Sequence, residues 1–95
     1  MMARNDQSKA FEISQIEQSD SHLKIGGRAH DSIRVGDVLL AYDPDNDECA
    51  SFRVIGITMY DKEIEEIEAV FTAWLILEGD NINILEKSGY LYRAI

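Results

Sequence analysis

Apolar residues in this chain come in short alternating runs, broken at regular intervals by glycine and small polar residues. A period of two puts successive side chains on opposite faces, so each run predicts a half-buried strand rather than a helix. Phe11 and Ile13 alternate with Glu12 and Ser14; Ile16 then falls out of phase, which predicts a β-bulge. Leu23 and Ile25 open a second strand reaching about Ala29, with Gly26-Gly27 inside it. A glycine pair within a strand predicts a sharp bend or a close approach of backbones. Further strands are predicted over Val38 to Tyr42, Ala50 to Met59, Phe71 to Leu77, Ile82 to Leu85 and Tyr90 to Arg93. Turns are expected at Gln18 to Ser21, Val35-Gly36-Asp37, Asp43 to Glu48 and Lys87 to Gly89.

With 95 residues there is room for one domain. Residues 1–10 are polar and aperiodic and read as a flexible tail; residues 11–95 read as one β-barrel domain. The expected fold is all-β: a small closed Greek-key barrel of six or seven strands, with at most one short helical turn near 61–69. That helical turn is suggested by Tyr60, Ile64, Ile67 and Phe71, which recur at spacings of four, three and four. On the long strand, Phe71, Ala73, Leu75 and Leu77 would fill the barrel, and Thr72, Trp74 and Ile76 would face outward. On the strand from Ala50, Phe52, Val54 and Gly56 would share one face, and Arg53, Ile55 and Ile57 the other.

Gly27-Arg28-Ala29, followed by Ile33-Arg34-Val35-Gly36-Asp37-Val38-Leu39, resembles the signature of the translation-protein barrel. This is the second domain of translational GTPases such as elongation factor Tu and initiation factor 2. The runs from Phe52 to Thr58, from Thr72 to Gly79 and from Ile84 to Leu91 are similar to that family's later pattern. Ser32 stands where the family tends to have a turn glycine, and Val70-Phe71 replaces the usual glycine before the long strand. The resemblance implies a barrel that in full-length factors binds the tRNA acceptor end or other partners, and it places Arg28 at a surface-facing arginine position. The phosphate-cradling Gly-x-x-x-x-Gly-Lys-Ser/Thr loop is missing, so no GTPase is expected.

Charge narrows the functional classes. Eighteen acids against nine bases give a net charge of −9, which repels a phosphate backbone and disfavours nucleic acid as a partner. Cys49 is the sole cysteine, and His22 and His30 match no zinc spacing, so no disulfide, metal or cofactor is expected. Asp43-Pro-Asp-Asn-Asp47 begins like a calcium loop but has Glu48 at the glycine position and Val54 at the bidentate acid position; it reads as a hairpin turn. His30-Asp31-Ser32 are adjacent and cannot converge as a triad. No apolar core marks the N-terminus as a secretory signal and the apolar stretch Ala69 to Leu77 is too short to span a bilayer, so no membrane partner and a cytoplasmic location are expected.

No catalytic constellation emerges, and the leading expectation is a non-catalytic binding module for an unknown protein partner or a homodimer. Its candidate contact residues are Trp74, Ile76 and Arg28 on the outer face, with Glu65 and Glu66 in the acidic run Asp61 to Glu68. An outward Trp74 needs cover from the segment 60–71 or from a partner. The runner-up is an acidic inhibitor or immunity-type protein that covers a basic partner. A ribosome- or tRNA-associated accessory role follows from the resemblance alone.

Overall fold

The computed structural model describes residues 8–18 and 22–93. Nine strands and one helix follow in chain order: β1 (Ser8–Gln18), β2 (Leu23–Ala29), β3 (Ile33–Arg34), β4 (Val38–Asp43), β5 (Glu48–Met59), β6 (Lys62–Ile64), β7 (Glu66–Ile67), β8 (Thr72–Glu78), α1 (Ile82–Ser88) and β9 (Tyr90–Arg93). Of the residues expected in a tail over 1–10, Ser8, Lys9 and Ala10 belong to β1, where Ser8 and Lys9 pair with Arg93 and Tyr92. Residues 1–7, and Ser19 to Ser21 of the expected first turn, lie outside the described residues.

Six strands close an antiparallel barrel in the order β4-β9-β1-β2-β8-β5, with β5 pairing back onto β4. Within it β9-β4-β5-β8 is a Greek key: three strands neighbour one another in sequence order and the fourth returns beside the first. Side chains fill the barrel interior. Phe11, Ile25, Leu39, Phe52, Val54, Leu75, Leu77 and Leu91 are all buried inside it.

Bulges decide which side chains reach that core. Ile13 pairs with Gly27 and Gln15 with Gly26, leaving Ser14 as the extra residue that the out-of-phase Ile16 predicts. A second bulge, at Ile55, lies between the Val54–Leu77 and Gly56–Ile76 pairs. It shifts the alternation by one, so Ile57 rather than Gly56 points inward and Ile55 stays exposed.

Other expectations are corrected. Residues 61–69 hold no helix: β6 pairs with the end of β5, the chain bends at Glu65, and β7 pairs with β3. Tyr60 and Asp61, both with positive φ (54° and 65°), form the two-residue hairpin turn that starts this departure. Of the four residues at helical spacing, only Ile67 is buried; Phe71 precedes β8 and is 48% exposed, so it does not fill the barrel. Conversely, the strand expected over Ile82 to Leu85 is helix α1. Its buried residue is Leu85, which joins the barrel core, and Gly89 ends it in the left-handed conformation.

The acidic turn after β4 is held from within. The buried Asp43 carboxylate accepts the Asp45 N–H (2.9 Å) and the Asn46 side-chain amide (3.0 Å), with the Lys87 ammonium at 3.8 Å. Burial is the largest influence and pushes the carboxyl up; the hydrogen bonds and Lys87 together outweigh it, leaving the pKa below its ordinary 3.8. A depressed carboxyl stabilises the fold above the unfolded pKa and loses that contribution as pH falls through the folded one. Asp43→Ala should therefore lower the melting temperature at neutral pH, and the gap to wild type should shrink below about pH 4. Thermal melts between pH 2 and 7 check this; a gap independent of pH would overturn the assignment to the ionised carboxylate.

Candidate functional site

Alternation along β2 and β8 sets up the outer face. On β2, Lys24, Gly26 and Arg28 face out; on β8, Thr72, Trp74 and Ile76 do so. The strands are in register with Arg28 opposite Thr72, Gly26 opposite Trp74 and Lys24 opposite Ile76. Gly26 has no side chain, so the indole of Trp74 lies over its backbone; a Cβ there would meet the ring at 3.0 Å. Gly56 seats Ile76 in the same way on the far side, at 3.1 Å. The Lys24 ammonium sits 4.9 Å from the centre of the Trp74 ring, a cation–π contact that closes one flank of the indole.

The other flank opens on a groove of about 640 Å³. Trp74, Met59 and Tyr60 supply its apolar surface; Ser14, Thr58 and Thr72 supply hydroxyls; Glu12 and Arg28 supply charge. The groove thus runs across β1, β2, β8 and the end of β5, beside the Ser14 bulge and under the β5–β6 hairpin. Tyr60 stands at its rim, 86% exposed.

Arg28 is distinctive among the described arginines. Arg53 pairs with Glu78 at 2.8 Å, Arg93 with Asp31 at 3.1 Å and Asp37 at 3.4 Å, and Arg34 reaches Glu66 at 4.0 Å. Arg28 has no carboxylate partner among the described residues, although Glu12 is its register neighbour on β1. Glu12 instead meets His30 Nε2 at 3.1 Å.

The structure therefore brings together two of the expected contact residues, Trp74 and Arg28. Ile76 shares their face but packs on Gly56 and lies outside the groove lining. Glu65 and Glu66 sit on the β6–β7 bend, also outside it. Cover for Trp74 comes from Gly26 and Lys24, with the 60–71 segment adding Tyr60 at the groove rim. Sequence reasoning missed Glu12, Ser14, Thr58 and Tyr60. The out-of-phase Ile16 was a signal for the bulge at Ser14, but nothing local in the sequence places Tyr60 beside Trp74.

His30, Asp31 and Ser32 point to separate tasks. His30 contacts Glu12, while Asp31 and the Ser32 carbonyl both take the Arg93 guanidinium and tie β9 to the β2–β3 loop. Among the described residues no helix is long and apolar enough to cross a membrane. Comparison with protein-family models and with curated proteins finds no match.

Proposed function

We propose that this chain is a non-catalytic binding module built on a translation-factor-like barrel, and that it seats an extended segment of a partner protein in the groove along Trp74 and Tyr60. The observation that carries this reading is Tyr60. An aromatic residue at positive φ in a two-residue hairpin turn occupies a position where Asn or Gly costs least, and it buries almost nothing in return. A residue that opposes its own backbone and stands exposed at a groove rim is accounted for by what it contacts outside the chain. In the groove Glu12 meets His30 at 3.1 Å, and among the described residues neither is hydrogen-bonded to the hydroxyls of Ser14, Thr58 or Thr72, so no nucleophile is held by a base there. The Greek-key closure and the turn at Val35-Gly36-Asp37 support the translation-protein type of barrel. A fold does not carry function across, so the reading rests on the groove.

Tyr60→Asn tests it, because stability and binding should move in opposite directions. Relief of the backbone should leave the fold unchanged or stabilise it by about 1 kcal/mol. A photo-crosslinker at Thr58 should capture a partner in the native host, a crosslinker at Val38 on another strand should not, and Tyr60→Asn should abolish the Thr58 adduct. Equal capture from both positions, or capture indifferent to Tyr60→Asn, would sink the reading.

A second reading is supported by the surface around β6 and β7. Asp61, Glu63, Glu65, Glu66 and Glu68 are all exposed there, and of these only Glu66 has a cation within 4.0 Å among the described residues. Such a patch suits a basic partner, as an acidic inhibitor would require. Its partner would be lost by Glu65→Lys with Glu66→Lys and spared by Tyr60→Asn, the reverse of the pattern expected for the groove.

A further inference from the structure

We propose that Arg28 is the anion receptor of the groove, and that the segment bound there carries one acidic side chain two residues from an apolar one. This rests on the groove reading above and names the chemistry of its occupant. Three observations converge on it. In a chain with twice as many acids as bases, Arg28 is left without a carboxylate among the described residues while Arg34, Arg53 and Arg93 all have one. Its register neighbour Glu12, which also lines the groove, meets His30 instead, so the guanidinium keeps its hydrogen-bonding capacity inside the groove. Trp74 lies one diagonal step away, since it pairs with Gly26 and Arg28 is two residues further along β2.

The spacing defines the ligand. Alternate residues of an extended strand are separated by roughly 6.5–7 Å and share a face. A segment lying along the groove would place a Glu or Asp carboxylate on Arg28 and, two residues away, an apolar side chain against the open flank of Trp74. Guanidinium and carboxylate match as a bidentate pair. Ser14, Thr58 and Thr72 supply hydroxyls, and the bulge leaves Ser14 outside the β1–β2 ladder, so polar groups are at hand for the segment's main chain. One carboxylate suffices for one cation. A polyanion would meet the repulsion of a chain with net charge −9, which sets this site apart from a phosphate-backbone site.

The test uses the whole chain and two synthetic peptides, acetylated and amidated so that neither carries a terminal charge. One has leucine and glutamate two positions apart; the other has glutamine in place of the glutamate. In ¹⁵N-correlation spectra the glutamate peptide should shift the Trp74 indole N–H and the amides of Gly26, Gly27 and Arg28. The glutamine peptide should bind at least about tenfold more weakly, the worth of a charge-assisted pair. Arg28→Gln should erase that preference, and Arg28→Lys should keep part of it. Arg28 is exposed, so neither change threatens the fold. Equal binding of the two peptides, or a preference that survives Arg28→Gln, would overturn the inference. Absence of any shift at millimolar glutamate peptide would overturn it too. Capture through Thr58 that needs Tyr60 but ignores Arg28→Gln would overturn the inference and leave the groove reading standing; capture that ignores both would remove both.

Discussion

Leu85→Ala is expected to destabilise the protein by about 2–5 kcal/mol, the range for emptying a fully buried leucine site that relaxes only in part. For a domain of this size that corresponds to a fall in melting temperature of at least about 10 °C. Leu85 is the one buried residue of α1, and it is contiguous with the barrel core. α1 packs chiefly against β4, and its end is tied down by Ser88, whose hydroxyl accepts the Tyr42 N–H at 3.1 Å and donates to the Tyr90 carbonyl at 2.6 Å. A seven-residue helix has little stability of its own, so its place depends on what Leu85 buries. The exposed neighbour Asn83→Ala should stay within about 0.5 kcal/mol. Thermal and urea melts of the two variants decide the matter: similar losses would mean that α1 is not anchored by Leu85.

Gly27→Ala should cost about 1–3 kcal/mol, although it adds a single methyl group. A Cβ at Gly27 would be driven into the carbonyl oxygen of Glu12 and would approach the Phe11 ring edge at 3.0 Å. Both obstacles are fixed, one being strand backbone and the other a fully buried side chain. If Gly27 served only to loosen the chain for a bend, the same change would stabilise the protein by restricting the unfolded state. The sign of the measured effect therefore separates close approach from flexibility. Because Glu12 and Ser14 flank the contact, spectra of Gly27→Ala should also show shifts along the groove lining, with the β8 residues Leu75 and Leu77 unaffected.

The close approach at Gly27 was legible in the sequence alone, as one of two reasons for a glycine pair inside a strand. So was the bulge, because an alternating run that slips by one residue at Ile16 can keep its apolar face inward only by inserting an extra residue. The segment 60–71 was not legible. Spacings of four, three and four fit a helical face, yet Ile64 and Ile67 are buried to different extents by two separate pairings, with β5 and with β3. Ile82 to Leu85 failed in the opposite direction. Its short alternation imitates a strand, while Leu85 three residues after Ile82 is the helical contact that the barrel rewards.

The candidate site shows the same division. Period two on β8 turns Trp74 and Ile76 outward, and the Gly-Arg resemblance places Arg28 at a surface-facing position. Their meeting depends on the β2–β8 register, which sets Gly26 under the indole and Arg28 one diagonal step away. Which of the described arginines stays without a carboxylate among the described residues depends on Glu12 meeting His30, eighteen residues along the chain.

By itself the sequence determined the fold class and the turns at Val35-Gly36-Asp37 and after Asp43, because alternation and turn chemistry act between near neighbours; Lys87 and Ser88, expected in a turn, are the end of α1. Tertiary structure alone decided where the helix lies, which side chains the β5 bulge admits to the core, and which residues line one groove. Those outcomes depend on pairings between residues far apart in the chain, and no local pattern encodes them.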